Sequence, residues 1–557
     1  MHLIVDRHPE GMLATDDRGA VEVVSAAGFP SFVAEREQSA DPPRWVWSDT
    51  ALWYPPLLRS GVRVERCHDL RLVEAILAGV EGRPARAFAD RARSVVVGGG
   101  GGSGGRQETA LFDLDDAPRV ADDAPAAAAL YAEQVAALAR GSVAAPGSLA
   151  LLAAAESAGA LAAAEMTSTG LPWSADDHER LLLEALGPRP EAGRRPDRLA
   201  ALATEIEQAL GALPGALPLD SPPELVKSLR AAGIDVATTR SWELQKHSHP
   251  AIAPLLRYKS LSRLMTANGW NWLDEWVRDG RFRPTFVPGG VVTGRWASDG
   301  GGALQLPRQV RSAVRADEGW VLVVADAAQL EPRILAALSR DEAMARAGAG
   351  VDLYQGIVDS GAVGSREQAK LGMLGAMYGG TTGQSARVLP RLQRVFPHAI
   401  RFVEEAARAG ERGETVRTRL GRTSPSPGEA WRERQLLAAT EGASEAERRD
   451  ARTAARSQGR FTRNFVVQGT AAEWALAWMA GVRRRLWRAE GAPLHRQPHL
   501  VFFLHDELMV HTPRERAEEA EDALRAAAAD AGRVIFGRAP VTFPVTVATV
   551  ERYSEAK

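Results

Sequence analysis

The sequence predicts a multi-domain α/β protein, because strand-like and helix-like patterns alternate along a long chain. Two short apolar runs rich in β-branched and aromatic residues, at positions 320–325 and 500–504, are typical of buried strands. Alanine- and leucine-rich sequence at 124–186 is typical of helices. A chain of 557 residues is long enough for about three to four structural units with large cores.

The N-terminal part of the chain predicts short strands mixed with helices, most clearly at 45–58 and 62–77. Seven glycines and one serine at 98–105 interrupt it and predict a flexible loop inserted within a domain. After the helical stretch, three prolines between positions 188 and 196 indicate a connector.

The rest of the chain predicts helices first and then two strand-rich parts. Ser221, followed by two prolines and Glu224, has the residue types that begin a helix, and the helical region extends to about residue 273. Strands are predicted near 285–345 and 465–557, and the segment between them is mostly helical.

Composition limits the possible function classes. The formal net charge is −2, so binding to nucleic acid would depend on local clusters of basic residues, as in the arginine-rich span 412–463. The single cysteine, Cys67, excludes an internal disulfide and any multi-cysteine zinc site. The first residues lack the pattern of a signal peptide, and no run approaches the ~20 apolar residues of a membrane span. We therefore expect a cytoplasmic protein with no membrane partner.

Both strand-like runs lead into an acidic residue, Asp326 after the first and Asp506 after the second. Two strands that end in carboxylates can lie side by side and hold hard cations through oxygen. Two such cations about 3.5–4 Å apart can clamp the attacking and leaving oxygens of a phosphoryl transfer. One apolar run ending in aspartate is more often an ordinary turn, so the pair gains weight only with a third segment.

The third segment places Arg366, Lys370, Leu374 and Tyr378 at intervals of four residues. On a helix they form one slowly drifting stripe with two cations, an apolar side chain and an aromatic ring. This order suits a nucleoside triphosphate, whose phosphates would meet the cations. The alternative is an amphipathic surface helix with a solvated basic face. Lys370 favours the first interpretation, because the chain contains only five lysines.

These three segments, in this order, resemble motifs A, B and C of family A DNA polymerases, and the resemblance covers roughly residues 200–557. Further segments match in the same way. They are residues 293–298 (TGRWAS) with Leu304 and Gln305, residues 415–422 as the fingers hairpin, and Arg460, Asn464 and residues 468–472 (QGTAA).

The resemblance implies a right-hand polymerase with palm, fingers and thumb and an antiparallel palm sheet, preceded by an RNase H-like α/β domain of the 3′–5′ exonuclease type. The implied divisions are an exonuclease-like domain (1–190), thumb (191–284), first palm segment (285–345), fingers (346–464) and second palm segment (465–557). We expect no 5′-nuclease domain before the motifs, because few residues precede them. Asp69 alone resembles an exonuclease metal ligand, and one carboxylate cannot hold two metals, so we expect an inactive remnant.

The matching positions imply roles for individual residues. Asp326 and Asp506 would bind two Mg²⁺ ions, with Mn²⁺ as a substitute, and Lys370 would also be a candidate acid for pyrophosphate. Glu331 would be the steric gate against a ribose 2′-hydroxyl. The residues implied to contact the dNTP are Arg366, Lys370, Leu374, Tyr378, Glu331 and Gln329. The residues implied to contact primer–template DNA are Arg295, Gln305, Arg460, Asn464, Gln468 and His505.

Departures from the family pattern affect nucleotide binding more than metal chemistry. Ala327 and Ala328 replace the usual Tyr-Ser after the motif A aspartate, Leu374 replaces an aromatic residue, and Tyr354 stands where a phosphate-binding histidine is frequent. Several glycines in the motif B segment predict a mobile helix.

Two alternatives remain, a single-subunit RNA polymerase and a non-catalytic DNA-binding paralogue. Glu331 and the triplet at 505–507 favour the DNA enzyme over the first, and intact Asp326, Asp506, Arg366 and Lys370 argue against the second. We expect a nucleoid-associated monomer.

Overall fold

The computed structural model describes residues 1–86, 88, 127–140, 147–191, 193–350, 352–380, 383–487 and 493–556. These residues form 20 α-helices and 14 strands in four sheets. The predicted glycine-rich loop at 98–105 lies outside the described residues.

A mixed five-stranded sheet begins the chain, in the order β3-β2-β1-β4-β5. Its first three strands are antiparallel, and β4 and β5 run parallel to β1. Trp45 and Trp47 on β4 are fully buried beneath the helices. The strands are β1 (His2–His8), β2 (Gly11–Asp16), β3 (Val21–Val24), β4 (Arg44–Trp47) and β5 (Arg66–Asp69). The helices of this part are α1 (Phe29–Glu37), α2 (Thr50–Arg59), α3 (Leu70–Glu81) and α4 (Ala127–Arg140).

Asp69 serves as a helix cap in this structure. It ends β5, is fully buried, and accepts hydrogen bonds from the backbone N–H groups of Thr50 at 2.7 Å and Leu72 at 2.9 Å. Burial raises the pKa of its carboxyl to about 6, and the nearby Asp49 adds to this effect. Both oxygens therefore stabilise the starts of α2 and α3.

Helix α5 (Ser148–Thr169) joins the N-terminal sheet to the rest of the molecule. It corrects the expectation that no segment approaches a membrane span, because its length and mean hydropathy of 1.4 meet those of one. However, 72% of its most apolar window is buried inside the protein. Two glutamates on α5, Glu156 and Glu165, are buried and paired with arginines. We therefore assign α5 to the core.

The region predicted as the thumb is helical. Ser221 occupies the expected N-cap position, although its side chain makes no capping hydrogen bond. A small sheet in the order β6-β8-β7 crosses the predicted boundary at 190, because β6 pairs with β8. The elements are β6 (Leu171–Pro172), α6 (Ala175–Leu186), α7 (Asp197–Ala209), α8 (Pro222–Ala231), α9 (Ser241–Leu244), α10 (Ile252–Asn268), α11 (Trp270–Trp276), β7 (Val277–Arg278) and β8 (Arg281–Phe282).

The antiparallel palm sheet is confirmed, with the strand order β12-β13-β11-β14. A separate hairpin of β9 and β10 precedes it. The strands are β9 (Thr285–Val287), β10 (Ala297–Asp299), β11 (Trp320–Ala327), β12 (His499–Leu504), β13 (Glu507–Pro513) and β14 (Val545–Val550). Helix α20 (Ala517–Phe536) packs on β11, β13 and β14.

Helices connect the two halves of the palm. The last of them runs continuously for 41 residues, so the predicted boundary at 464 between fingers and palm lies inside one helix. They are α12 (Leu330–Ser339), α13 (Glu342–Ala347), α14 (Leu353–Asp359), α15 (Arg366–Tyr378), α16 (Gly383–Val395), α17 (Pro397–Glu411), α18 (Glu429–Ala438) and α19 (Glu445–Arg485).

Candidate active site

Asp326 and Asp506 meet at one place on the palm sheet. Asp326 lies within β11, whereas the sequence predicted it to follow a strand, and its register partner on β13 is Glu507. Asp506 lies in the turn between β12 and β13, after His505 with a left-handed φ of 59°. The backbone N–H of Ala327 donates to the Asp506 carbonyl at 2.9 Å. Both carboxylates are half-buried and are carried by neighbouring backbone.

Glu507 is held inside the protein beside this pair. It is 3% exposed, and the Tyr553 hydroxyl donates a hydrogen bond to it. Burial, and then the Glu507 charge, raise the pKa of Tyr553 far above its usual range. No cluster of three or more metal-ligating side chains occurs among the described residues. The site thus offers a hard cation two carboxylates, and water or substrate oxygens must complete the shell, as Mg²⁺ prefers.

The two cations of α15 point outwards in this structure. Arg366 Nε donates to Asp352 at 2.6 Å, and its guanidinium lies 5.7 Å from the centre of the Tyr354 ring. Burial alone would raise the pKa of Asp352, but the bond with Arg366 lowers it. Lys370 is exposed and forms no ion pair within the described part of the chain. The expected phosphate contacts of both residues stay predictions.

A cavity of about 180 Å³ opens beside Asp506. Its lining combines polar and apolar side chains, and Leu374 of α15 is among them. The polar residues around it are Arg295, Gln329, Glu331, Tyr354, His505 and Asp506. The apolar lining includes Trp296, Leu304, Leu330, Leu374, Met377, Ala471, Ala475, Leu476, Met479 and Phe503.

Glu331 is fixed from two sides. Arg295 Nη2 donates to its Oε1 at 2.5 Å, and the Tyr378 hydroxyl donates to its Oε2 at 2.8 Å. Burial, followed by the Glu331 charge, raises the pKa of Tyr378 to about 12. Arg295, which the sequence assigned to DNA contact, therefore holds the predicted steric gate against the end of α15 in this structure.

Gln329 connects the start of α12 to the start of α14 by a hydrogen bond at the edge of the cavity. It precedes α12 with a left-handed φ of 48°, and its side-chain oxygen accepts the Leu353 N–H at 3.1 Å. Because Tyr354 follows Leu353, this bond places the aromatic ring at the cavity wall. The amide of Gln329 thus orients α14 as well as lining the predicted nucleotide site.

Helix α19 brings its three predicted DNA contacts to the end of α15. Gln468 lies within hydrogen-bonding reach of Tyr378, and Arg460 packs so closely on Gly379 that a Cβ there would sit 2.9 Å from its Cγ. Asn464 Oδ1 is buried and has no hydrogen-bond partner among the described residues. Gln305, by contrast, is exposed on a short 3₁₀ helix outside the cavity.

Arg333 is a buried support that the sequence analysis missed. It is fully buried on α12, and its guanidinium donates to the carbonyls of Ala328 at 2.9 Å, Gly348 at 2.6 Å and Gly350 at 2.8 Å. Burial lowers the pKa of Arg333 to about 10. An arginine inside the apolar face of a helix was the available signal, since such a charge must find polar partners.

The site has the sequence motifs and the strand geometry of a known family, and comparison with known proteins decides the assignment. Residues 198–554 match the family described as DNA polymerase family A. The chain belongs to this family. Over 310 residues it is 29% identical to the thermostable DNA polymerase I of Thermus filiformis. This match covers 50% of this chain and 34% of the relative. The chain is 28% identical over 339 residues to DNA polymerase I of Chloroflexus aurantiacus, covering 56% and 33% respectively.

A likeness of fold to a solved structure extends over the whole chain. The chain resembles the POL domain of Pol1 from M. smegmatis, solved in complex with DNA primer-template and dNTP, with a TM-score of 0.68 at 20% identity. That likeness covers 100% of this chain and 96% of the solved chain, and it confirms the predicted right-hand fold. The chain spans about a third of the length of the curated relatives named above.

Proposed function

We propose that this family A chain is a DNA-directed DNA polymerase that adds dNTPs to a primer 3′-hydroxyl by two-metal phosphoryl transfer. The observation that carries the proposal is the meeting of Asp326 and Asp506 on adjoining backbone beside a cavity lined by α15. Relatives named DNA polymerase I, and a similar fold solved with primer-template and dNTP, support the same reaction.

Two Mg²⁺ ions, or Mn²⁺ in their place, would be held by Asp326 and Asp506. Bound there, the ions would activate the primer hydroxyl and neutralise charge that develops on the phosphates. The chain itself contributes two half-buried carboxylates, one on β11 and one in the turn before β13, and the pairing of these two strands places the carboxylates near each other. Glu507 supports the sheet from within through Tyr553.

The nucleotide would lie between α15 and the palm. Arg366 would release its hydrogen bond with Asp352 and bind the triphosphate instead. Lys370 would add a second positive charge and supply a proton to pyrophosphate. Leu374 would contact the base and sugar from the cavity wall, and Tyr378 would close the same end. Glu331, held by Arg295 and Tyr378, would occupy the space that a ribose 2′-hydroxyl needs.

Primer–template DNA would run across the palm and α19. On α19 Arg460 is exposed and Gln468 is partly exposed, and His505, on the turn before Asp506, is exposed and lines the cavity. We also propose that the N-terminal part does not trim primers, because both oxygens of Asp69 already cap backbone N–H groups.

Primer extension tests the proposed function directly. The purified chain should extend a recessed primer with dNTPs and Mg²⁺, should use rNTPs far less well, and should leave a mismatched primer end untrimmed. Preference for rNTPs would favour the RNA polymerase alternative. Tight DNA binding without extension would favour the non-catalytic paralogue.

Glu331→Ala should lower the preference for dNTPs over rNTPs by about tenfold or more, because the shorter side chain leaves room for the 2′-hydroxyl. The measurement is the ratio of kcat/KM for matched dNTP and rNTP in single-nucleotide incorporation. Glu331→Gln keeps the bulk of the gate and weakens the Arg295 ion pair, so comparing the two variants separates the effect of lost volume from the effect of lost charge. An unchanged ratio in Glu331→Ala would remove Glu331 from the gate.

Leu374→Phe should tighten dNTP binding about two- to twelvefold, because aromatic packing adds about 0.5–1.5 kcal/mol beyond the buried area. The cavity beside Leu374 offers space for the larger ring. Single-nucleotide incorporation against dNTP concentration measures the effect, and Lys370→Ala should shift the same curve in the opposite direction. If only Lys370→Ala has an effect, Leu374 does not contact the nucleotide.

A further inference from the structure

The carboxylate of Glu156 on α5 is buried close to the loop at 289–295, which ends at Arg295. Glu156 is 1% exposed and forms an ion pair with Arg422. A charge placed inside an apolar helix is costly unless it is paired, so this position requires its partner. Its second oxygen, Oε2, has no hydrogen-bond partner among the described residues and lies 3.8 Å from where a Cβ of Gly289 would be.

Arg422 itself lies in a hairpin at 417–423. The hairpin closes through the bridge between Arg417 and Thr423. It is fastened to α19, because Glu473 accepts the Leu420 N–H at 2.9 Å and the Thr418 hydroxyl. The guanidinium of Arg422 is therefore fixed between α19 and Glu156.

The guanidinium lies directly against the backbone of Gly294. A Cβ at Gly294 would sit 2.6 Å from Arg422 Nε and 2.7 Å from its Cζ, and φ at Gly294 is +86°. Only glycine permits this approach. The next residue is Arg295, whose guanidinium holds Glu331. Arg422 therefore packs on the backbone immediately before Arg295.

We propose that Glu156 and Arg422 are positioning residues that set the loop at 289–295, so that Arg295 reaches Glu331 and holds the gate in place. The contacts run without a gap from α5 through Arg422 and Gly294 to Arg295 and Glu331. The proposal rests on the proposed function and names a determinant of its sugar selectivity. It assigns the N-terminal part of the chain, through α5, a role in the polymerase site.

The test compares two glutamates of the same helix. Glu156→Gln keeps the side-chain size and removes the charge that fixes Arg422. Glu165→Gln makes the same change nine residues further on, where the partners are Arg483 and Arg63, away from the loop. Both variants should lower thermal stability. Only Glu156→Gln should lower the kcat/KM preference for dNTP over rNTP, by about three- to tenfold.

A double-mutant cycle identifies the route of the effect. In an Arg295→Ala background, Glu156→Gln should cause little further loss of sugar selectivity, because the residue through which it acts is already absent. If Glu156→Gln lowers stability but leaves the preference for dNTP over rNTP unchanged, the Glu156–Arg422 pair has only a structural role and the proposal fails. Equal loss of selectivity in Glu165→Gln would also overturn it.

Two further measurements separate other causes of failure. If Glu156→Gln does not fold, Arg422→Lys keeps a cation beside Glu156 but removes the fork against Gly294, and it should give the same loss of selectivity; normal selectivity in that variant would overturn the proposal. Absence of primer extension by the wild-type chain would instead contradict the proposed function.

Discussion

Asparagine in place of Asp326 or Asp506 should lower the rate of primer extension by about 1000-fold or more, because the amide keeps the side-chain size and removes the charge. Both carboxylates are half-buried at adjoining backbone, and no cluster of three or more His, Cys, Asp or Glu side chains that could hold a metal occurs among the described residues. We therefore expect cation binding to depend on both aspartates. The measurement is single-turnover incorporation of one dNTP in Mg²⁺.

Binding and folding should survive these substitutions. Fluorescence anisotropy with a labelled primer–template should give nearly the same Kd for both variants, because the DNA contacts we propose are made by other side chains, on α19 and at His505 beside Asp506. Asp522→Asn, an exposed position on α20, is the control for a neutral aspartate substitution and should extend primers normally. Extension close to the wild-type rate by either active-site variant would rule out the two-metal assignment.

The carboxylate pair could be predicted because its signals are local. An apolar strand next to an acidic residue can be recognised in one window, and β11 and β13 pair as adjacent antiparallel strands. The exact place of Asp326 could not be predicted in this way. Its strand continues to Ala327 because that residue pairs with Val545 of β14, more than 200 residues away.

The residues that hold the site from behind could not be recognised from the sequence around each of them. Glu156 and Arg422 are 266 residues apart in sequence, and each looks like an ordinary charged residue in its own window. The glycines of α15 have a packing role that the sequence did not show. A Cβ at Gly372 would sit 2.7 Å from Val388 and 2.8 Å from Leu392, so glycine allows α16 to pack closely.

Arg483→Met should lower the free energy of unfolding by about 3–5 kcal/mol, the largest stability effect we expect from one substitution. Arg483 is 5% exposed on α19 and joins the palm to α5 and the N-terminal part. Its guanidinium donates to Glu165 at 2.8 Å, to the Glu65 carbonyl at 2.8 Å and to the Val64 carbonyl. Removing it leaves the buried Glu165 with Arg63 and Tyr54 as its remaining partners.

Chemical denaturation followed by tryptophan fluorescence measures this loss. Arg485→Met is the matched control on the same helix, because Arg485 pairs with Asp530 where both side chains are more than a quarter exposed. That pair should contribute no more than about 1 kcal/mol. The double variant Arg483→Met/Glu165→Met should recover part of the stability lost in Arg483→Met, since the buried Glu165 charge is then absent and only Arg63 loses an ion-pair partner.

The pH dependence of stability gives an independent measure of the same pair. Burial alone would raise the pKa of Glu165, but Arg483 and Arg63 lower it to about 2 in the folded protein. A carboxyl with a lowered folded pKa stabilises the protein above its unfolded pKa, and the contribution is lost as pH falls towards 2. We therefore expect the wild-type chain to lose stability between about pH 4.5 and 2 more steeply than Arg483→Met. Equal slopes would show that Glu165 does not depend on Arg483 for its charge.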